Sequence, residues 1–539
     1  MKRRQFLQST AATSIVSIIN PISGLANEPT TTAPPPAFEL DELTITELQQ
    51  TLQAGKYSSR QLVEKYSDRI SDIDKKGPAL YSVIEMNPDA EQIATALDRE
   101  RKERGPRGPL HGIPILIKDN IDTNDRMMTT AGSLALEGSK PARDAFIVQK
   151  LRAAGAVILG KTNLSEWANF RSTKSSSGWS GRGGQTKNPY SLERNPCGSS
   201  SGSGAAVAAN LCVGAIGTET DGSVVCPSSA NSLVGIKPTI GLVSRAGIIP
   251  IAHSQDTAGP MTRTVTDAAI ILNLLSGIDP RDEATNASRG RSVADYTKFL
   301  DKDGLRGMRL GVARKHFGFN ERVDKLMEDL LAEMKRAGAV LVDPADIPTT
   351  GKFDDSEFEV LLYEFKADLN TYLAGLGPQA PVRSLKDVIA FNEKHRDREL
   401  PYFGQDIMIK AEAKGPLTSK PYLAALRKNH LLTRAQGIDL VMKKNRLDAL
   451  VAPTGGPAWP TDWINGDHFT GGYSSASAVA GYPHITVPAG YVFGLPVGIS
   501  FFGDAFSEPK LIRIAYAFEQ ATKARRSPQF MPSANSAKP

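Results

Sequence analysis

The apolar and polar positions of the chain follow two alternating spacings, which predict helices and short buried strands in turn. Between Asp41 and Asp74 the apolar residues recur at helical spacing, with a break at Gly55, and predict two or three helices. Another helix is predicted over 90–104, and 113–117 is a short apolar run of the kind found in fully buried strands. Strands and helices continue to alternate toward the C-terminus, which predicts an α/β fold.

One long region interrupts this alternation. From about 350 to 445 the pattern is helical and rich in charge, which indicates an insertion on the substrate side of the molecule. The chain has 539 residues, enough for two or three average domains or for one large α/β enzyme domain.

Composition adds few constraints on partners. Hydrophobic residues make up 40% of the chain and charged residues 23%, as in soluble globular proteins. The net charge is +6, and Lys2, Arg3 and Arg4 supply three positive charges ahead of the first acidic residue, Glu28, so about +3 remains without them. This balance does not suggest a nucleic-acid binder.

The first residues have the pattern of an export signal. Arg3 and Arg4 precede a short run of small and apolar residues that ends in small residues near Ala26. The pattern resembles a twin-arginine signal, and its apolar part is too short and too polar to span a bilayer stably. We predict that 1–26 is a removed signal peptide and that 27–37 is a flexible linker. The mature protein is then expected to be periplasmic or secreted, without a membrane anchor.

The stretch 195–227, NPCGSSSGSGAAVAANLCVGAIGTETDGSVVCP, has a composition that ordinary packing does not explain. Its glycines let the backbone approach a ligand closely, and its serines add hydroxyls at the same place. A helix is predicted over 205–211, a buried strand over 213–218, and then a turn that presents Ser223. Ser199 and Ser223 thus lie at the two ends of one unit. A Gly/Ser turn before a core helix is the alternative that composition leaves open.

All three cysteines, Cys197, Cys212 and Cys226, belong to this stretch. Their odd number and the absence of a CxxC or Cys/His spacing favour small buried side chains over a disulfide and give no indication of a metal site. Export of an already folded chain agrees with that interpretation. We expect neither a metal ion nor a cofactor.

Lys118 ends the apolar run over 113–117. Burial disfavours the charged form of a lysine, so a lysine at this position can be a neutral amine that acts as a base. The alternative is that Lys118 reaches solvent and pairs with Asp119 or Asp122.

Two other motifs match catalytic patterns by their letters only. Residues 155–162, GAVILGKT, fit the phosphate-loop pattern, but the central AVIL predicts a strand where a flexible loop is needed. Ser507 and Lys510 fit Ser-x-x-Lys without the accompanying Lys-Thr-Gly, and Ser507 is better explained as a cap of the helix predicted over 511–522.

A serine nucleophile in this chain needs a base other than histidine. None of the seven histidines lies in a persuasive motif, and Ser223 is not in a Gly-x-Ser-x-Gly elbow. Because an unassisted hydroxyl is a weak nucleophile, a desolvated lysine that acts through a second serine would supply the base.

These motifs resemble the amidase signature family of Ser-Ser-Lys hydrolases. The resemblance rests on GIPILIKDNI around Lys118, GSSSGSG with Ser199, and GTETDGSVVCP with Ser223, and it covers nearly the whole mature chain. It implies a single large α/β domain over 38–539, with a central mixed sheet covered by helices on both faces. The core would lie at about 60–290 and 445–525.

The resemblance also implies a role for each site residue. Ser223 would be the acylated nucleophile, Ser199 a bridging serine after a cis peptide at Gly198-Ser199, and Lys118 the base. The backbone N–H groups of 220–223, that is Thr220, Asp221, Gly222 and Ser223, would form the oxyanion hole. Related enzymes often carry Gly where Asp221 stands here.

Within this family the chain is similar to bacterial peptide amidases, which convert C-terminally amidated peptides to free acids and ammonia. A small peptide amide is therefore the expected substrate, and a monomer is compatible with the sequence. Two alternatives remain open: a general amidase for small or fatty-acid amides, and a non-enzymatic periplasmic protein that binds an anion or another ligand at the Gly/Ser loop.

Overall fold

An 11-stranded sheet forms the centre of the protein. The structure is a computed structural model and describes residues 37–377 and 380–534. The predicted signal peptide 1–26, and the predicted linker 27–37 apart from its last residue, lie outside the described residues. The strands are β1 Val83–Met86, β2 Pro114–Lys118, β3 Val157–Thr162, β4 Trp179–Ser180, β5 Gly184–Gln185, β6 Gly214–Glu219, β7 Val234–Lys237, β8 Thr257–Thr262, β9 Arg309–Val312, β10 Val340–Val342, β11 Ala449–Pro453, β12 His484–Val492 and β13 Leu495–Phe502.

The sheet is mixed, with the strand order β1-β3-β2-β6-β8-β7-β12-β13-β11-β9-β10. β2 runs parallel to β3 and β6, whereas β6 pairs antiparallel with β8. β4 and β5 form a separate two-stranded sheet. The predicted α/β fold with a central mixed sheet is therefore confirmed.

Helices surround the sheet and also form the region between β10 and β11. The α-helices are α1 Ile45–Gln53, α2 Ser59–Arg69, α3 Ala90–Arg104, α4 Phe146–Ala153, α5 Ser201–Ala208, α6 Val225–Ala230, α7 Val265–Leu275, α8 Glu321–Arg336, α9 Asp354–Gly375, α10 Leu385–Lys394, α11 Arg396–Glu399, α12 Asp406–Glu412, α13 Lys420–His430, α14 Asp439–Asn445, α15 Ser475–Ala480 and α16 Glu508–Thr522. None of the helices in the described part of the chain is long and apolar enough to cross a membrane.

The region predicted as an insertion, about 350–445, is helical and contains α9 to α14. Within it, α9 packs against α12 and α13. Part of this region shares a separate apolar cluster that includes Phe365 and Leu369 of α9 and Met408 of α12. The bounds of the domain, of its core and of this insertion remain predictions.

Helix α5 begins four residues earlier than predicted, inside the Gly/Ser run. Every residue of the helix is buried, and it packs against β2, β3 and β6. A Cβ atom at Gly202 would lie 2.2 Å from the backbone oxygen of Ser82, so no larger residue fits there. Packing therefore accounts for part of this composition, in agreement with the core helix that the sequence left open as an alternative.

The two motifs that matched by letters alone belong to ordinary elements of the fold. The segment 155–162 contains the fully buried strand β3, in agreement with the strand predicted for it. Ser507 directly precedes α16, but its hydroxyl donates to the backbone oxygen of Asp504 at 2.7 Å instead of capping the helix. The predicted helix start is thus nearly right, and the predicted side-chain cap is wrong.

Candidate active site

Lys118 lies at the end of β2 and is fully buried. Its Nζ is 2.8 Å from Ser199 Oγ and 2.9 Å from Thr218 Oγ1. The alternative of a solvent-facing Lys118 is wrong, because the apolar strand carries the side chain into the interior. The nearby carboxylates have other partners: Asp119 pairs with Arg182, and Asp122 accepts a hydrogen bond from Tyr372 at 2.7 Å.

Burial strongly affects the protonation of Lys118. Desolvation lowers the pKa of its amine to about 7, although the negative charges of Asp256 and Glu219 partly oppose this change. A large share of the amines is therefore neutral at neutral pH. A neutral amine next to a serine hydroxyl can accept that hydroxyl's proton.

Ser199 occupies the loop that precedes α5 and is almost completely buried. The peptide bond between Gly198 and Ser199 is cis. The backbone oxygen of Ser199 accepts a hydrogen bond from the N–H of Ser165 at 3.1 Å. The hydrogen bond from Ser165 holds the backbone of the loop in which Ser199 Oγ lies beside the Lys118 amine.

Ser223 lies in the turn between β6 and α6, beside the Ser199 loop. The N–H of Ser200 donates to the backbone oxygen of Ser223 at 3.2 Å, which joins the two loops. Among the described residues, the Ser223 hydroxyl has no hydrogen-bond partner, and 7% of the residue is accessible. The structure therefore joins Lys118 to Ser199 directly and joins Ser223 to them through the backbone. A contact between the two hydroxyls would have to form with substrate present, as is common for catalytic hydrogen bonds.

The turn before Ser223 offers backbone donors. Within the described part of the chain, the N–H groups of Thr220, Asp221, Gly222 and Ser223 have no hydrogen-bond acceptor. Gly222 has a φ of 80°, in the left-handed region that glycine adopts without a steric penalty. Unpaired N–H groups in such a turn can bind a developing oxyanion.

The carboxyl group of Asp221 is held by neighbouring side chains. It accepts hydrogen bonds from the hydroxyls of Ser474 and Ser475, the latter at 2.6 Å, and it is also hydrogen-bonded to Glu357. Burial raises the pKa of Asp221, and burial together with the charge of Asp221 raises the pKa of Glu357 well above its ordinary value. The hydrogen bond with Glu357 by itself lowers the pKa of Asp221, and it connects the turn to α9.

Three further polar residues of the site were not singled out from the sequence. Thr218 Oγ1 contacts Lys118 and also accepts a hydrogen bond from Asn120 Nδ2 at 2.9 Å. Glu219 Oε2 accepts hydrogen bonds from the N–H groups of Val224 and Val225 at 2.8 and 3.0 Å, which ties the turn to the start of α6. Their position inside the motifs GTETDGS and IKDNI was the available signal.

A cavity of about 350 Å³ opens next to the turn. Gly198 and Gly222 line one part of it, and the rings of Trp459 and Phe469 line another. Asp467 also lines the cavity and accepts a hydrogen bond from Trp459 Nε1 at 3.1 Å, which holds that ring in place. The cavity offers an apolar wall within reach of the two serine loops.

One group among the described residues has ligand atoms close enough together to hold a metal ion: His253, Glu364 and Asp368. His253 Nδ1 already lies 2.8 Å from Asp368 Oδ2, and Glu364 accepts a hydrogen bond from Tyr422. None of the three contacts Lys118.

Cys197 and Cys226 form a disulfide, so the expectation of small unpaired cysteines is wrong for these two residues. Helix α5 and strand β6 reverse the chain between them and bring their Cα atoms to 6.0 Å, within the range that a disulfide spans. Spacing along the sequence does not reveal such a reversal. Cys212 alone meets the expectation, since it is buried and free.

This combination of fold and site is that of an amidohydrolase. The Amidase family model matches residues 61–512, and the chain belongs to this amidase signature family. The protein is therefore an amidase, and the alternative of a non-enzymatic binding protein is dropped.

Solved structures and a curated relative extend the comparison. The native peptide amidase from Stenotrophomonas maltophilia is 52% identical, with a TM-score of 0.87 over 92% of this chain and 100% of that one. A structure of the peptide amidase PAM with the competitive inhibitor chymostatin is also 52% identical, with a TM-score of 0.88 over 91% of this chain and 100% of that one. A probable amidase of Arabidopsis thaliana is 46% identical over 503 residues, covering 92% of this chain and 93% of that protein.

Proposed function

We propose that the protein hydrolyses the C-terminal amide of peptide amides to a free acid and ammonia, and that it does so after twin-arginine export to the periplasm or the exterior. The observation that carries the reaction is the buried Lys118 amine, with a pKa of about 7, at 2.8 Å from Ser199 Oγ. The likeness to peptide amidases at 52% identity supports the substrate class.

The first half of the reaction forms an acyl-enzyme. Neutral Lys118 accepts the proton of Ser199 while Ser199 accepts the proton of Ser223, and Ser223 Oγ bonds to the amide carbon. The carbonyl oxygen becomes an oxyanion, and the free N–H groups of the turn 220–223 donate hydrogen bonds to it. Removal of one such donor typically raises the barrier by about 3 to 4 kcal/mol.

The proton transfers between the same residues then reverse. The proton on Lys118 returns through Ser199 to the amide nitrogen, and the C–N bond breaks. Ammonia leaves, and the acyl group stays bonded to Ser223. Water gives a proton to the relay and attacks the acyl carbon, and the C–O bond to Ser223 breaks. The free acid departs and Ser223 regains its proton.

The substrate side of the site favours an amide with a substantial acyl portion. The cavity of about 350 Å³ is larger than the simplest amides require, and Trp459 and Phe469 give it an apolar wall. A peptide residue with an apolar side chain fits such a wall. Small aliphatic amides would leave most of this surface unused.

Mass spectrometry of an amidated peptide library tests the proposal. Conversion of each amide to an acid adds about one mass unit, because OH replaces NH2 in acyl transfer to water. Propionamide and a long-chain fatty amide serve as competing substrates, and Ser223→Ala is the matched inactive control. Preference for either simple amide over every peptide amide would contradict the proposed substrate class.

A further inference from the structure

We propose that the Cys197–Cys226 disulfide positions the serine relay, and that its reduction to two thiols lowers the rate of amide hydrolysis. In this account Cys197 and Cys226 are positioning residues that act through Ser199. The inference rests on the amidase chemistry of the site and does not depend on a preference for peptides.

The bridge joins the two loops that carry the serines. Cys197 lies two residues before Ser199, and Cys226 lies three residues after Ser223, in the first turn of α6. The bond links two cysteines that are 29 positions apart, and the chain between them contains α5 and β6. A backbone hydrogen bond of 3.2 Å from Ser200 to Ser223 joins the same two loops. The disulfide therefore adds a covalent connection at the place where the relay depends on loop-to-loop distance.

The backbone at Cys197 is in a conformation that needs support. Its φ is 59°, in the left-handed region that residues with a Cβ atom rarely adopt. The N–H of Cys197 donates to Asn195 Oδ1 at 2.8 Å, and Ser201 Oγ donates to its backbone oxygen at 2.6 Å. The disulfide fixes the side chain of the same residue. Relaxation of Cys197 would move Ser199, two residues further on, relative to the Lys118 amine.

A small displacement of Ser199 is expected to matter. Ser199 Oγ lies 2.8 Å from Lys118 Nζ, and it must also reach Ser223 Oγ during the reaction. A misplacement of about 1 Å can lower a rate about a hundredfold. Proton transfer to the leaving nitrogen passes through Ser199, so amides should be more sensitive to this displacement than esters.

A cavity gives small reductants a route to the disulfide, although Cys197 itself is only 5% accessible. Cys197 and Cys226 both line the cavity of about 350 Å³ and pack against Trp459. A thiolate of a small dithiol can attack one sulfur to form a mixed disulfide, and its second thiol then displaces the protein sulfur. The dithiol is oxidised to a cyclic disulfide by two electrons, and Cys197 and Cys226 each gain a proton.

The test compares the oxidised and the reduced full chain. Dithiothreitol is added without denaturant, and thiols are counted afterwards under denaturing conditions, where a rise from one per chain to three marks complete reduction. We expect kcat on an amide to fall about tenfold or more with little change in KM, and to recover on reoxidation. Ester hydrolysis should fall less. Cys212→Ala is the control, and it should keep both the normal rate and the response to dithiothreitol.

Two variants separate positioning from folding. Cys197→Ala/Cys226→Ala should show the reduced rate without dithiothreitol and should not respond to it. Cys197→Asn/Cys226→Ala should retain more activity, because asparagine enters the left-handed region more readily than alanine. A fully reduced chain with the oxidised kcat would overturn the proposal. Loss of the native circular dichroism spectrum in the reduced chain and in both variants would also overturn it, in favour of a purely structural bridge.

A labelling experiment distinguishes failure of this inference from failure of the proposed substrate class. A fluorophosphonate probe labels an activated serine without any peptide in the reagent. If the oxidised protein does not hydrolyse peptide amides but labels faster than the reduced protein, the substrate class is wrong and the role of the bridge stands. Equal labelling rates of the oxidised and reduced proteins would contradict the role of the bridge.

Discussion

Lys118 Nζ and Ser199 Oγ lie 2.8 Å apart in the interior of the protein, although 81 positions separate the two residues. Strand β2 carries the lysine into the interior, and the loop before α5 brings the serine to it. Because burial lowers the pKa of Lys118 to about 7, this pair can exchange a proton near neutral pH.

Replacement of Ser223 tests which serine is acylated. Ser223→Ala should abolish labelling by a fluorophosphonate probe and reduce amide hydrolysis to background, because no hydroxyl remains to form the acyl-enzyme. Mass spectrometry locates the probe in the wild-type protein. Ser292→Ala, at an exposed position outside the site, is a matched serine control that keeps Ser223 and should still be labelled. Labelling of Ser223→Ala at the wild-type rate would rule out Ser223 as the nucleophile.

The pH dependence of kcat/KM should report the ionisation of Lys118. Only the neutral amine accepts a proton, so kcat/KM should rise with pH below a pKa of about 7 and level off above it. Asp256 raises the pKa of Lys118 through its negative charge, so Asp256→Asn should move this limb to lower pH. If kcat/KM of Asp256→Asn rises over the same pH range as in the wild-type protein, a group other than Lys118 controls the pH profile.

The carboxyl pair of Asp221 and Glu357 predicts a contrast between two variants. Glu357→Ala removes the hydrogen bond that holds the Asp221 carboxyl group beside the turn 220–223, and kcat should fall about tenfold with little change in KM, a loss of about 1.4 kcal/mol of transition-state stabilisation. Glu357→Gln can still donate to Asp221 and accept from Gln255, so it should keep most of the activity. Steady-state kinetics of both variants provides the test. Equal losses would show that Asp221 does not depend on this hydrogen bond.

Glu219 predicts a loss of stability. Glu219→Ala leaves the buried N–H groups of Val224 and Val225 without an acceptor, and each such group costs about 1 to 3 kcal/mol. The free energy of unfolding should therefore fall by about 2 to 6 kcal/mol in denaturant titrations. Glu219→Gln retains an acceptor oxygen and should lose much less. A stability of Glu219→Ala equal to that of Glu219→Gln would contradict this role.

Much of the fold could be predicted because apolar spacing is a local property. The strand that ends at Lys118 and the strand inside GAVILGKT both follow from short apolar runs. The sequence pattern predicts the start of α5 four residues too late, since Gly and Ser are weak helix formers and only packing against β2, β3 and β6 stabilises a helix there.

The features of the site that could not be predicted depend on distant contacts. The pairing of Asp221 with Glu357 joins the turn 220–223 to α9. Nothing in the sequence near either residue indicates this pairing. The bond between Cys197 and Cys226 likewise depends on the reversal of the chain by α5 and β6. The motifs predicted Lys118, Ser199 and Ser223 as site residues. The burial that lowers the pKa of Lys118 is visible only in the structure.

The central claim is that Lys118 acts as the base and proton carrier through Ser199, and Lys118→Ala tests it most directly. The measurement is the hydrolysis of an amide and of the ester with the same acyl group, with Lys325→Ala on the exposed face of α8 as a matched lysine control. The account predicts that the Lys118 variant keeps only a trace of amide hydrolysis and loses less ester hydrolysis, because an ester's leaving group does not need the proton. Amide hydrolysis by Lys118→Ala at the normal rate at neutral pH would contradict it.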